Sequence, residues 1–153
     1  MANLHPATRQ GDWQRHALAT LSRHGYRAGG ARAAVVELLA EQDCCLTAQQ
    51  IFDLLRARGR RIGIASVYRA LEVLAGARLV QRLEMGEGGA RFEIVRADGE
   101  HHHHAVCERC GAVQAFEDPA LEEALNRLAG ELGIEAAEHD VVLRGACSHC
   151  RAA

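Results

Sequence analysis

The sequence predicts an α+β chain of two modules, a mostly helical N-terminal one and a small α/β C-terminal one. Three observations carry this. Four stretches of helical periodicity fill the first half and end in two short β-like runs. Past residue 100 the pattern changes to short apolar runs around a single helix. The charge also divides: residues 1–84 hold 12 Arg against 7 Asp and Glu, a balance of +5, and residues 85–153 hold 6 Arg against 13, a balance of −7. A basic front and an acidic back suggest different partners, phosphate being the obvious one for the front. A chance imbalance gives the same count.

Residues 13–24 read as a helix with Trp13, Ala17, Leu18 and Leu21 on one stripe, closed by Gly25. Residues 31–42 form a second, with Val35, Val36, Leu38 and Leu39 apolar. Thr47 followed by Gln50 is a capping-box pattern, and it opens a third helix that carries Ile51, Phe52, Leu54 and Leu55 to Gly59. Ser66 starts a fourth, with Val67, Leu71 and Leu74 as its buried stripe and Gly76 near its end. Two β-like runs follow, Leu79–Met85 and Arg91–Val95, separated by Gly86, Gly88 and Gly89 as in a hairpin. Three helices and then a hairpin make the winged form of helix-turn-helix, here with one helix in front. An ordinary α+β packing module has the same outline, because fold does not imply function.

Residues 1–95 are therefore read as the winged-helix module, 96–100 (Arg-Ala-Asp-Gly-Glu) as a hinge, and 101–153 as the second module. In the second, Ala105–Val106 and Ala112–Phe116 read as short strands around a Cys-Glu-Arg-Cys-Gly turn. Asp118 and Pro119 open a helix as N-cap and first residue. Leu121, Leu125, Leu128 and Leu132 form its stripe, and Gly133 caps it. Val141–Arg144 is the last strand. A module this small has a thin core and is marginal alone, so a metal or a dimer partner is expected to help.

Composition excludes several classes. Apolar residues make up 48% of the 153, enough for a core, and no apolar run approaches the roughly 18 residues of a membrane span. Met1–Gln10 lacks the basic start and apolar stretch of a secretory signal, so a cytoplasmic chain without membrane contact is expected. The enzyme patterns of a zinc protease or deaminase are absent, and there is no phosphate-binding Gly loop or nucleophile elbow.

The chemistry lies in the cysteines and histidines. Four of six cysteines form two C-x-x-C pairs, Cys107/Cys110 and Cys147/Cys150. Two such knuckles supply the four thiolates of a tetrahedral structural zinc, which leaves no open position for substrate. The 36 residues between the pairs hold a helix and a strand, so the ends can meet. Redox pairs or buried thiols are the other readings. The run His101–His104 enters a strand, where alternate side chains face opposite ways. His101 and His103 then face one side, His102 and His104 the other, so one tetrad can serve two metal sites. A solvated polar loop is the alternative.

Ser66-Val67-Tyr68-Arg69-Ala70-Leu71, the His101–Gly111 stretch and the closing Cys-Ser-His-Cys together make the chain resemble the ferric uptake regulator (Fur) family of metal-dependent bacterial repressors. The resemblance covers roughly residues 13–151. It implies a homodimer, with winged-helix domains at the N-terminus and dimerisation domains at the C-terminus, and a double-stranded operator of two-fold symmetry. By the same resemblance Arg27, Arg32, Ser66, Tyr68 and Arg69 lie in the DNA-binding stretches. Arg can contact phosphate or guanine, and an aromatic can pack on a thymine methyl.

The resemblance also implies a sensor site of Cys45, Glu93, His102 and His104, and an additional site of His101, His103, Glu122 and His139. Iron-type members have His at the position of Cys45 and a fifth, acidic ligand where Ala115 stands. Zinc-type members carry a Cys shortly after Glu93 that this chain lacks. Four ligands including a thiolate favour tetrahedral zinc over six-coordinate iron, as in zinc uptake regulators. The expected function is thus repression of metal uptake genes, with zinc most favoured as corepressor and structural zinc at the four cysteines. Iron or peroxide response within the same family is the alternative. A zinc-storage or metal-delivery protein and a thiol oxidoreductase are the readings from other classes.

Overall fold

The computed structural model describes residues 6–27, 29–86, 89–96, 102–136 and 138–152. The chain forms two compact units, Met1–Gly99 and Glu100–Ala153. Residues 97–100 of the expected hinge lie outside the described residues, as does His101.

The first unit runs α1 (Pro6–Arg23), α2 (Ala31–Ala40), β1 (Leu46–Thr47), α3 (Ala48–Ala57), α4 (Ile64–Gly76), β2 (Val80–Glu84) and β3 (Ala90–Ile94). Its core joins Trp13, Ala17 and Leu21 of α1 to Val35, Val36, Leu38 and Leu39 of α2, Ile51 and Leu55 of α3, and Val67, Leu71 and Leu74 of α4. Each fully buried Leu or Ile contributes about 2 kcal/mol by leaving water. The Trp13 indole N–H reaches back 3.3 Å to the Leu79 carbonyl and ties the first helix to the start of the wing.

Local chemistry sets the boundaries. The Thr47 capping box is complete: Thr47 Oγ1 accepts from the Gln50 N–H, and Gln50 Oε1 accepts from the Thr47 N–H. The fourth helix begins at Ile64, two residues before the expected Ser66. Gly63 is extended and supplies the first carbonyl, to which the Ser66 and Val67 N–H groups donate. Ser66 therefore lies inside the first turn. The first helix begins at Pro6, seven residues before Trp13. Periodicity marks only the part of a helix with a buried face, and Trp13 is the first buried residue among those described. The fourth helix ends at Gly76, and Arg78, just past its C-cap Ala77, is left-handed at a φ of 56°. The N–H groups of Arg78 and Leu79 donate back to Ala75 and Leu74, which turns the chain into β2.

The sheet order is β1-β3-β2, antiparallel throughout. Helices α2–α4 and the β2–β3 hairpin make the winged helix-turn-helix. The two-residue β1 is an addition to the expected elements; it pairs Leu46 with Phe92 and Thr47 with Arg91.

The second unit runs β4 (His103–Cys107), β5 (Val113–Phe116), α5 (Pro119–Glu131), β6 (Val142–Gly145) and α6 (Ser148–Ala152). Its sheet order is β5-β4-β6, with β4 antiparallel to β5 and parallel to β6. Asp118 caps α5 by accepting from the N–H groups of Ala120 and Leu121. The expected leucine stripe of α5 is not a core: none of its residues is buried, and Leu128 and Leu132 are exposed, as are Ile134 and Leu143. The unit's fully buried described residues are His103, His104 and Cys107, all on β4.

Candidate metal centres and nucleic-acid face

The parallel β4–β6 pairing brings the two cysteine knuckles together. Cys107 registers with Gly145, and the Glu108 N–H donates to the Gly145 carbonyl at 2.9 Å. Gly111, at φ 72°, completes the turn, its N–H donating to the Cys107 carbonyl at 2.8 Å. The four sulfurs of Cys107, Cys110, Cys147 and Cys150 lie within 4.8 Å of one another, and Cys110 Sγ is 3.9 Å from Cys147 Sγ. Tetrahedral zinc with bonds of about 2.3 Å needs its sulfurs about 3.8 Å apart, so the cluster suits zinc. The thiols differ in acidity. Backbone N–H groups of Cys147 and Cys110 directed at Cys107 hold it down at about 6, while the Cys147 and Cys110 side chains push Cys150 up to about 12.

A second cluster lies on the other end of β4. His103 Nε2 sits 2.6 Å from Glu122 Oε1, and His139 Nε2 sits 3.0 Å from Glu122 Oε2. Glu122 reaches this place because the Asp118 cap sets the first turn of α5 beside the sheet. Of the four expected additional-site residues, His103, Glu122 and His139 are thus together.

The expected sensor residues divide between the units. In the first, Cys45 and Glu93 are buried, and with Cys44 their ligand atoms lie within 4.8 Å of one another. Short β1 accounts for this: its register, continued one residue past Leu46–Phe92, sets Cys45 opposite Glu93. Glu93 Oε1 also accepts from Gln81 Nε2 at 2.5 Å across the β2–β3 pair. The Cys45 thiol is held well above its ordinary value, first by the Cys44 thiol and then by burial. In the second unit, the His102 and His104 rings stand 4.8 Å apart, edge to face. His103 meets Glu122 while His104 meets His102, the alternation expected of a strand. Cys44 was not among the expected ligands. Its signal was adjacency to Cys45, which strand alternation argues against and a loop permits.

The exposed face of α4 presents Tyr68, half in solvent, and Arg69, whose guanidinium donates to Ser66 Oγ at 3.0 Å. Val67, Ala70, Leu71 and Leu74 hold the opposite face in the core. Arg27 is exposed, and Arg32 stacks 5.0 Å over the Tyr26 ring while reaching toward the Arg27 carbonyl.

Residues 23–144 match the model of the ferric uptake regulator family. The chain belongs to that family. It is 33% identical over 138 residues to the ferric uptake regulation protein of Neisseria meningitidis, covering 88% of this chain and 93% of the relative. It is 35% identical over 132 residues to the zinc uptake regulation protein of Mycobacterium tuberculosis, covering 86% and 99%. Among solved structures, the Helicobacter pylori ferric uptake regulator, described as having three functional metal binding sites, superposes with a TM-score of 0.81 at 26% identity, covering 99% of this chain and 97% of that one.

Ferric uptake regulators are metal-responsive, DNA-binding transcriptional regulators and not enzymes. This Fur-family chain is accordingly a metal-responsive regulator. Among its described residues no helix is long and apolar enough to cross a membrane.

Proposed function

We propose that this Fur-family chain is a zinc-responsive repressor of metal uptake genes, with zinc as corepressor. The observation that carries the reading is the buried pair Cys45 and Glu93 in the winged unit. A metal that also took His102 and His104 from the second unit would have four donors including a thiolate, which suits tetrahedral zinc better than six-coordinate iron. The relative from Mycobacterium tuberculosis, a zinc uptake regulation protein, agrees with this reading.

In this mechanism the sensor metal draws donors from both units and selects the arrangement in which two winged units fit two half-sites of a two-fold operator. Tyr68 and Arg69 read base edges, Ser66 orients Arg69, and Arg27 and Arg32 neutralise phosphate. A tenfold gain in DNA affinity needs about 1.4 kcal/mol of coupling, and DNA must then tighten metal binding equally. Structural zinc sits at Cys107, Cys110, Cys147 and Cys150. The additional site takes His101, His103, Glu122 and His139. The protein acts in the cytoplasm as a homodimer, built on the apolar face of Leu128, Leu132, Ile134 and Leu143.

The test is DNA binding to the protein's own promoter region at buffered free metal. Activation at far lower free zinc than ferrous iron, lost in the His102→Ala, His104→Ala double variant, is expected. Activation by ferrous iron under anaerobic conditions, with no response to zinc, overturns the zinc reading and returns the chain to iron regulation, the function of the relative from Neisseria meningitidis.

A further inference from the structure

We propose that Cys44, Cys45 and Met85 form a three-sulfur site for a soft monovalent cation of the cuprous class. Cys44 Sγ lies 3.8 Å from Cys45 Sγ, and Cys45 Sγ lies 3.9 Å from Met85 Sδ. An ion held in a plane by three sulfurs, with bonds of about 2.3 Å, sets them about 4.0 Å apart. Two of the three spacings that such a site requires are thus in place, both made by Cys45.

The fold builds the cluster from the first unit alone. Cys44 and Cys45 lead into β1 and Met85 leaves β2, the two strands that flank β3. Cys45 and Met85 are buried, while Cys44 is partly open and gives an ion a way in. The Met85 thioether thus meets the Cys45 thiol at 3.9 Å in the buried interior of the unit, where its polarisable sulfur faces another sulfur.

The thioether decides the ion. A neutral, polarisable methionine sulfur is a poor donor to zinc, which takes four thiolate, imidazole or carboxylate ligands. Thiolates with a thioether select the cuprous ion. On binding, the two thiols release their protons to solvent, and the single positive charge meets two thiolates. The site shares Cys45 with the sensor set proposed above. On that reading a cuprous ion and the sensor metal exclude each other, but the copper site itself stands without it.

The test titrates cuprous ion, kept reduced under anaerobic conditions and buffered by bicinchoninate, into the full chain carrying zinc at its four-cysteine site. A zinc indicator is present throughout. Uptake of one cuprous ion per chain without zinc release is expected, with X-ray absorption showing three sulfurs around copper. Met85→Leu keeps the volume of the side chain. It is expected to hold copper at least tenfold more weakly, with two sulfurs remaining. Met85→Leu binding copper as tightly as the unaltered chain overturns the site. So does copper uptake matched by zinc release, or a nitrogen and oxygen shell around the copper. None of these readouts depends on DNA binding, so failure of the zinc-sensor reading leaves the copper result interpretable.

Discussion

His103 Nε2 lies 2.6 Å from Glu122 Oε1. One carboxylate thus joins a buried strand histidine to the helix α5, and through its other oxygen to His139. The three side chains have the donor types and spacing that could hold a metal ion. Glu122→Gln keeps the shape and removes the charge. Metal content of the purified, metal-saturated protein is expected to fall by one ion per chain, with the four-cysteine zinc retained. Unchanged stoichiometry would remove Glu122 from the ligand set.

The four-cysteine cluster carries a stability prediction. The second unit has three fully buried described residues, all on β4, so its packing alone is thin. A structural zinc contributes on the order of 10–16 kcal/mol in small peptides, comparable with the roughly 5–15 kcal/mol net stability of a whole domain. Cys107→Ser is therefore expected to unfold the second unit and abolish its self-association, as seen by circular dichroism and size-exclusion chromatography. A variant that melts and associates like the unaltered chain would leave the cluster without a structural role.

Zinc loading at this cluster competes with protons, and the acidities give the direction. Cys107, at about 6, is already ionised at neutral pH, whereas Cys150, pushed up to about 12, is protonated. Zinc must displace the Cys150 proton at pH 7 and the Cys107 proton as well below about 6. Affinity is expected to fall as pH falls, more steeply once Cys107 protonates. Competition with a chromophoric chelator between pH 5 and pH 8 measures this, and a flat profile contradicts it.

Much of this organisation was legible in the sequence because it rests on short-range chemistry. The Thr47–Gln50 capping box, the Asp118–Pro119 helix start, the Gly111 turn and the histidine alternation each depend on a few neighbouring residues. What was not legible depends on partners far along the chain. The strand β1 is two residues long and exists only through its pairing with residues 91 and 92. No periodicity marks so short a strand, and it sets Cys45 against Glu93. The α5 stripe shows the opposite limit: among the described residues Leu121 and Leu125 are only half-buried, and Leu128 and Leu132 are exposed. Periodicity says that a face is apolar, and only packing says what covers it.

On the proposed reading Arg69 of α4 contacts bases, while Arg27, between α1 and α2, contacts phosphate. Arg69→Ala is expected to cost about 1–3 kcal/mol of operator affinity and to relax specificity at one position. Arg27→Ala is expected to weaken all sequences alike and to lower the salt slope of binding by about 1. Fluorescence anisotropy over a salt series distinguishes the two. Equal losses on operator and random DNA for Arg69→Ala would make it a phosphate contact.

The last prediction concerns the uncovered apolar face of the second unit. Leu132 is 64% exposed, Ile134 59%, Leu143 57% and Leu128 47%. Several large apolar side chains left exposed on so small a unit suit an interface. The second unit has little core of its own, so a second copy is the partner that would complete it. A charge at the centre of such a contact is costly because it must be desolvated without a partner. Leu132→Glu in one chain places two carboxylates in a two-fold contact. It is expected to shift the protein from dimer to monomer in sedimentation velocity and to abolish operator binding with zinc still bound at the four cysteines. Winged units lose their fixed spacing once the dimer is gone, so DNA affinity falls even though Tyr68 and Arg69 are intact. A Leu132→Glu chain that stays dimeric would move the interface off this face.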